Sequence, residues 1–260
     1  MTRNVTRQLH PIIPGRIVRT EALALPGFPN KYPLTVYLPP SYESSKQSHP
    51  VAYMFDGQNL FGDEGSHSGG WHIHEVLNRR AASNKVTPIV VGIHHGGVTR
   101  MSEFSPWAIS EFEGKGGAFM EAVVTTIMPF VESTWRVAKG PEATMLGGSS
   151  LGGLMSLYGL FTYPERFGKI LSMSPSIWVG VGAMIRYVNE LPLPADRLIY
   201  IDAGGKEKRT WTWSKTLVDH LVERGMALDE DIIWRLDEPG GHNEPTWRRR
   251  LPLALRYLYG

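Results

Sequence analysis

Short apolar runs alternate with longer segments whose apolar positions recur with the helical period along most of this chain. The short runs have the length and the β-branched content of buried strands. They predict strands at 17–25, 34–38, 51–55, 89–93, 143–146, 169–173, 198–202 and 232–236. The longer segments predict helices at 72–82, 118–132, 151–161, 183–189, 214–224 and 245–257.

The order of these elements predicts the fold class. Two strands come first and repeated strand–helix units follow, which is typical of an α/β protein with a mostly parallel eight-stranded sheet covered by helices on both faces. No linker or internal repeat divides the chain, so residues 1–260 are expected to form a single domain. In such sheets, ligands bind beyond the carboxyl ends of the strands. The candidate residues described below follow predicted strands and are therefore expected at that edge.

One segment between a predicted strand and a predicted helix carries the strongest chemical signal. Gly148-x-Ser150-x-Gly152 fits the G-x-S-x-G pattern, whereas a frame centred on Ser149 fails because its last position would be Leu151. The pattern is typical of a strained corner that presents a serine hydroxyl at a helix N-terminus. We therefore predict Ser150 as a nucleophile. The simpler alternative is a glycine-rich turn with an incidental serine.

A nucleophilic serine needs a base, and a carboxylate usually orients that base. Enzymes with this motif often carry the nucleophile, the acid and the base in that chain order. His242 follows the last predicted strand and is the predicted base, although it could instead cap the helix that follows it. Glu207 lies in the loop after strand 198–202 and is the predicted acid, unless it is a surface residue of a charged run. Asp202, at the end of that strand, is the alternative acid, and a site without a dedicated acid is a further alternative.

Backbone N–H groups are expected to stabilise the developing oxyanion. One is the N–H of Leu151, directly after the nucleophile, and the other is the N–H of Gln58, in the loop after strand 51–55. Large aromatic side chains at the same edge could line a substrate-binding pocket, with core packing as the alternative for each. These candidates are Trp71, Trp107 and Trp178.

Histidines are frequent enough to raise the question of a metal site. His72 and His74 begin a predicted helix, where positions i and i+2 point in different directions. No carboxylate pattern completes a site around them, or around His67 and the pair His94-His95, so we predict no bound metal. The glycine-rich stretches lack phosphate-loop spacing, and no cofactor is expected.

Composition restricts the partners and the compartment. The net charge of +2 is too small to indicate a nucleic-acid partner or an anionic membrane, and the basic run Arg248-Arg249-Arg250 is predicted to be a solvated helix face. The absence of cysteine excludes disulfides and a thiol nucleophile, and it fits a cytoplasmic location. We expect no secretory signal and no membrane span. The oligomeric state is not indicated by the sequence.

Several motifs in order along the chain resemble those of one family. They are VYLPPSY (36–42), YMFDGQNLF (53–61), EFSPW (103–107), GGSSLGG (147–153), SPSIW (174–178) and GHNE (241–244) followed by Trp247. The family is that of the putative esterases, α/β hydrolases that include enterochelin and salmochelin esterases, feruloyl esterases and the antigen 85 mycolyltransferases. The resemblance implies an α/β-hydrolase fold, Ser150 as nucleophile, His242 as base and the N–H groups of Gln58 and Leu151 as oxyanion donors. The family's acid position most nearly matches Glu207.

Together these features predict a serine carboxylesterase that hydrolyses a small-molecule ester through an acyl-enzyme. Two alternatives share the same residues. In the first, an alcohol or a sugar replaces water and the protein is an acyltransferase. In the second, the fold is catalytically silent and serves only to bind a ligand. Substrate choice depends on loops, so the sequence does not identify the ester.

Overall fold

The computed structural model describes residues 12–64, 66 and 68–260, and its central feature is an eight-stranded sheet. The spatial order of the strands in this sheet is β1-β4-β6-β5-β7-β8-β9-β10, and β2 pairs with β3 in a separate ribbon. The strands, in chain order, are β1 (Arg16–Arg19), β2 (Leu23–Ala24), β3 (Lys31–Tyr32), β4 (Leu34–Leu38), β5 (Val51–Phe55), β6 (Ile89–Ile93), β7 (Thr144–Ser149), β8 (Lys169–Met173), β9 (Leu198–Gly204) and β10 (Ile232–Asp237).

The pairing pattern confirms the predicted fold class. β1 pairs antiparallel with β4, and β4 pairs antiparallel with β6. The remaining neighbours, from β6 across to β10, run parallel. Parallel strands leave all their carboxyl ends at one edge, so the loops that follow β5, β7, β8, β9 and β10 meet there.

Helices cover both faces of the sheet. They are α1 (Ile73–Ala82), α2 (Arg100–Glu103), α3 (Gly116–Ala122), α4 (Met128–Thr134), α5 (Leu151–Thr162), α6 (Ala183–Asn189), α7 (Lys208–Glu223) and α8 (Glu244–Tyr259). Side chains of α1 and α8 form one hydrophobic cluster, and those of α3 to α7 belong to a larger cluster on the other face. Alternate residues of β5 enter the two clusters, since Tyr53 belongs to the larger and Met54 to the smaller.

Several boundaries differ from the sequence predictions, including those of strand 17–25 and of helix α7. The predicted strand 17–25 is divided, because the chain leaves the sheet after Arg19 and its continuation pairs with β3 instead. Helix α7 begins at Lys208, earlier than residue 214, because polar and charged residues in its first turns obscure the helical period. In the described part of the chain, no helix combines the length and the apolar character needed to cross a membrane.

Candidate active site

Ser150 occupies the sharp corner between β7 and α5. Its backbone angles are φ 57° and ψ −121°, a conformation that residues with a side chain rarely adopt. Close backbone approach explains the glycines beside it. A Cβ at Gly148 would lie 2.8 Å from the carbonyl carbon of Gly152, and one at Gly152 would lie 2.9 Å from Cβ of Phe55. The motif therefore forms the strained corner that its spacing predicts, with Ser150 at the N-terminus of α5.

His242 reaches the same edge from the loop between β10 and α8. Asn243, and not His242, caps α8, because its side chain accepts a hydrogen bond of 3.1 Å from the N–H of Thr246. His242 instead bonds to Glu207, with 2.5 Å between Nδ1 and Oε2. Trp247 packs edge-on against the imidazole, with 5.1 Å between the ring centroids. When Nδ1 donates its proton to the carboxylate, Nε2 is the nitrogen that can accept one.

Glu207 lies at the N-cap position of α7, and its side chain is only 4% exposed. Its second oxygen, Oε1, accepts hydrogen bonds of 2.9 Å from the hydroxyl of Ser174 and from the N–H of Gly204. Burial by itself would raise the pKa of this carboxyl, but the contacts with His242, Ser174 and Gly204 outweigh it, so the pKa is lowered. Glu207 is therefore a fixed anion directed at the imidazole.

Asp202, the alternative acid, has a different neighbour. It lies within β9, fully buried, and its Oδ2 is 3.3 Å from Nε of Arg250. Burial raises the pKa of Asp202 to about 7, although the positive charge of Arg250 acts in the opposite direction. The structure thus pairs Glu207 with the histidine and Asp202 with an arginine.

Arg250 corrects one expectation from the sequence, because it is only 7% exposed rather than part of a solvated face. Successive residues of a helix point in directions about 100° apart, so a run of three arginines cannot share one face. Arg248 pairs with Glu75 and Arg249 with Asp237 at the surface, while Arg250 points into the protein.

Ser174, which the sequence analysis named only as part of the motif SPSIW and gave no role, connects these groups. It follows β8 directly and has a positive φ of 44°. Its hydroxyl accepts hydrogen bonds from Nε1 of Trp247 at 3.0 Å and from Nη2 of Arg250 at 2.9 Å. A hydroxyl has one proton and two lone pairs, so these two donors leave the proton for Glu207. The available sequence signal was its position, since Ser174 follows its strand as Ser150 follows β7.

The predicted oxyanion donors lie on two neighbouring connections. Gln58 belongs to a 3₁₀ turn, Gly57–Asn59, that follows β5. This turn packs tightly on β6, because a Cβ at Gly57 would lie 2.4 Å from the carbonyl carbon of Gly92. Within the described residues, neither the N–H of Gln58 nor that of Leu151 donates to a backbone acceptor. Their role as oxyanion donors stays a prediction.

Two clefts meet at Ser150 and His242. The first, here called the paired cleft, has a volume of about 350 Å³ and includes Asp56, Arg100 and Glu244 in its lining. The charges of Arg100 and Asp56 neutralise each other, because Arg100 donates hydrogen bonds of 2.5 and 2.8 Å to the two carboxylate oxygens of Asp56.

The second cleft, here called the cationic cleft, has a volume of about 490 Å³. Besides Ser150, Glu207 and His242, it is lined by Trp178 and by three cationic side chains, Lys206, Lys208 and Arg209.

The three candidate tryptophans take different positions. Trp178 lines the cationic cleft, where the guanidinium of Arg209 lies 4.0 Å from the centre of its ring. Trp71 is 1% exposed and belongs to the core, which was the alternative to a place in the pocket. Its ring packs against that of Trp247, with 5.8 Å between the ring centroids. Trp107 packs against Tyr158 and Tyr187. Of the three, Trp178 is therefore the one placed to contact a ligand beside Ser150.

The histidines near α1 lie closer together than the helical argument predicts. Ligand atoms of His72, His74 and Glu75 are within 4.8 Å of one another. His72 precedes the helix in a left-handed conformation with φ 46°, so the divergence expected between helical positions does not apply to it. His72 is bonded to Asp63 at 2.7 Å, and Glu75 pairs with Arg248. His67 lies outside the described residues.

The fold and the site together define an α/β hydrolase with serine, histidine and glutamate at the carboxyl edge of its sheet. The family model described as "Putative esterase" matches residues 26–258, and the chain belongs to this family. Membership places it among hydrolases that act on esters.

Similar proteins include one that is uncharacterized and one that is an esterase. An uncharacterized protein of Bacillus subtilis, YbbA, is 27% identical over 242 residues, which are 87% of this chain and 92% of YbbA. The iron(III) enterobactin esterase of Escherichia coli O6:H1 is 31% identical over 148 residues, which are 54% of this chain and 36% of the esterase. The chain therefore spans little more than a third of that relative.

Solved structures show the same fold. The enterochelin esterase of Shigella flexneri superposes with a TM-score of 0.76 at 22% identity, over 96% of this chain and 59% of the esterase. A ferulic acid esterase superposes with a TM-score of 0.72 at 18% identity, over 95% of this chain and 98% of that protein.

Proposed function

We propose that this protein is a serine carboxylesterase that hydrolyses a small-molecule ester through an acyl-enzyme. The observation that carries the proposal is the contact of 2.5 Å between Nδ1 of His242 and Oε2 of Glu207, in a cleft that Ser150 also lines. In this contact Nδ1 keeps its proton and donates a hydrogen bond to the carboxylate, so Nε2 is the unprotonated nitrogen that can act as the base.

In the first half-reaction, Ser150 Oγ attacks the ester carbonyl carbon while Nε2 of His242 takes its proton. The carbonyl oxygen becomes an oxyanion, which the N–H groups of Gln58 and Leu151 stabilise. As the oxyanion collapses, the bond to the alcohol oxygen breaks, and His242 gives its proton to the departing alcohol. Glu207 stabilises the imidazolium that exists between these proton transfers.

In the second half-reaction, His242 takes a proton from water, and the hydroxide attacks the acyl-enzyme. The same N–H groups hold the second oxyanion. Collapse then releases the carboxylic acid and returns the proton to Ser150 Oγ. The Ser150 hydroxyl lies 3.4 Å from Ser176 Oγ, so we expect it to turn towards His242 when an ester is bound.

Hydrolysis of 4-nitrophenyl butyrate by the wild-type protein and by Ser150→Ala tests the proposal. We expect Ser150→Ala to lower kcat by at least about 10³-fold, as loss of such nucleophiles does. Ser133→Ala, an exposed serine on α4, is the matched control and should keep the wild-type rate. A fluorophosphonate should label Ser150, and product analysis with added alcohol would separate hydrolysis from acyl transfer. A rate near wild type in Ser150→Ala would reject the assignment.

A cytoplasmic location and the absence of nucleic-acid partners stay predictions.

A further inference from the structure

The two clefts beside Ser150 differ in how their charges are balanced. In the paired cleft, Arg100 is bound at both carboxylate oxygens of Asp56. In the cationic cleft, Lys206, Lys208 and Arg209 form no salt bridge with any carboxylate among the described residues. Its one acidic lining residue, Glu207, is already bonded to His242, Ser174 and Gly204. The cationic cleft therefore carries an excess of positive charge next to the nucleophile.

The position of these cations is unfavourable for the helix that carries them. Lys208 and Arg209 are the first residues of α7, and Lys206 precedes the N-cap residue Glu207, whose carboxylate is already bonded to His242 and Ser174. A helix N-terminus carries a partial positive charge and is stabilised by anions, so cations at this place cost stability. Residues that conflict with the preferences of their helix in this way are expected at functional sites. A bound anion would offset the repulsion.

We propose that the cationic cleft binds a carboxylate carried by the ester substrate. The inference rests on the proposed esterase function and adds a substrate class to it: esters with a negatively charged group on one side of the scissile bond. Lys206 and Lys208 supply exposed ammonium groups, and Arg209 is held over the ring of Trp178 with 4.0 Å between Cζ and the ring centre. Trp178 provides a flat apolar surface for the part of the substrate that connects the anion to the ester.

Two pairs of esters test the proposal, one for each side of the scissile bond. The mono-4-nitrophenyl ester of adipic acid carries its carboxylate on the acyl side, and 4-nitrophenyl hexanoate is its neutral counterpart. 4-Acetoxybenzoate carries its carboxylate on the alcohol side, and its methyl ester is the neutral counterpart. The quantity measured is the ratio of kcat/KM for the anionic ester to kcat/KM for the neutral one. Changes in the base or the nucleophile act on both members of a pair and cancel in this ratio.

The test variant is Lys206→Glu/Lys208→Glu, and the matched control is Lys31→Glu/Lys46→Glu. All four lysines are exposed, and both variants change the net charge equally, but Lys31 and Lys46 lie outside the clefts. We expect the ratio for at least one pair to fall about tenfold or more in the test variant, because two attractive charges become repulsive. In the control it should stay within about twofold, since distant exposed charges are screened. In the wild-type protein the ratio should also fall as salt is raised, because the screening length shortens from about 10 Å at 0.1 M to about 3 Å at 1 M.

The outcomes separate this inference from the proposed function. If the wild-type protein cleaves the neutral esters but the ratios of test and control variants agree for both pairs, the inference is overturned and the esterase assignment stands. If the wild-type protein cleaves none of the four esters and does not react with a fluorophosphonate, the proposed function fails and the inference fails with it.

Discussion

The surroundings of Glu207 and of Asp202 show how one short stretch of chain shifts the pKa values of two carboxyl groups in opposite directions. Glu207 is buried, yet hydrogen bonds from His242, Ser174 and Gly204 lower its pKa. Asp202 is also buried, but burial dominates and raises its pKa to about 7 despite the nearby Arg250. The difference shows that the balance between burial and the hydrogen bonds made to the charged form sets the direction in which the pKa of each carboxyl shifts.

Geometry divides their roles in the same way. Glu207 extends beyond the carboxyl edge of the sheet and contacts the imidazole of His242. Asp202 is held inside β9 and pairs with Arg250 beneath that edge. Ser174 lies between them, with its N–H 3.3 Å from Oδ1 of Asp202 and its hydroxyl 2.9 Å from Oε1 of Glu207. We therefore infer that Glu207 acts in the reaction while Asp202 acts in folding.

Glu207→Gln should have the largest effect on activity. The amide carries no charge to stabilise an imidazolium, and its NH₂ group favours the tautomer with the proton on Nε2, so we expect kcat to fall by about 10³-fold or more. Steady-state hydrolysis of 4-nitrophenyl butyrate measures it. Asp202→Asn is the matched comparison and should lower kcat by less than about tenfold, because Asp202 does not contact His242. Full activity in Glu207→Gln with a collapse in Asp202→Asn would reverse the two roles.

Arg250→Met should have the largest effect on stability. Above the pKa of Asp202, where the pair is ionised, it leaves a buried carboxylate without its cation, and removing one partner of such a pair costs about 3–5 kcal/mol of unfolding free energy. Arg249→Met, which removes an exposed pair with Asp237, should cost about 0–1 kcal/mol. Urea denaturation of both variants measures the difference. Equal costs would mean that the Asp202–Arg250 pair contributes no more than a surface pair.

The pH dependence of stability should distinguish the two carboxylates. The pKa of Asp202 is raised to about 7 from its ordinary value of 3.8, so between these pH values the folded protein retains a proton that the unfolded chain has lost. This contribution to stability is fully present below about pH 4 and is lost as the pH rises through about 7. Glu207 acts in the opposite sense, because its pKa is lowered and its contribution is lost on acidification.

The unfolding free energy of wild type relative to Asp202→Asn should therefore decline between pH 5 and pH 8, since only the wild type has the titrating group. Denaturant unfolding at a series of pH values provides the measurement. A difference that is constant with pH would show that Asp202 titrates normally in the folded protein.

Most of the fold was predictable because buried strands and amphipathic helices leave periodic patterns. β5, β6 and β8 have the predicted boundaries, and the corner at Ser150 follows from a motif whose glycines are needed for close packing. The pairing of His242 with Glu207 was predicted from chain order, from the position of Glu207 in its loop and from the family resemblance, with Asp202 as the alternative acid. The prediction that Arg250 is solvated was wrong. A charged residue is normally expected at the surface, and the sequence does not reveal that Arg250 has a buried partner, Asp202, on another element.

Ser174 could not be predicted for a related reason. Its importance comes from three contacts, with Trp247, Arg250 and Glu207, which join elements that are distant in sequence. A serine after a strand has no local pattern that distinguishes it from a turn residue. Networks of this kind are specified by the tertiary structure, so periodicity and motifs identify their strands but not their connections.

Ser174→Ala gives the smallest of these effects and the most specific comparison. It removes the hydrogen bond to Oε1 of Glu207 and also the acceptor of Trp247 Nε1 and Arg250 Nη2. A hydrogen bond to a charged group contributes about 1.5–3 kcal/mol, so we expect the loss of the bond to Glu207 to lower kcat on the order of tenfold. If Ser174 acts only by holding Glu207, the same change in a Glu207→Gln background should have little further effect, and the two substitutions should be non-additive. An equal loss in both backgrounds would show that Ser174 acts through the fold instead, and a melting temperature for each variant would reveal such a loss directly. Non-additivity would instead place Ser174 as a positioning residue for Glu207, connecting the buried Asp202–Arg250 pair to the carboxylate that contacts His242.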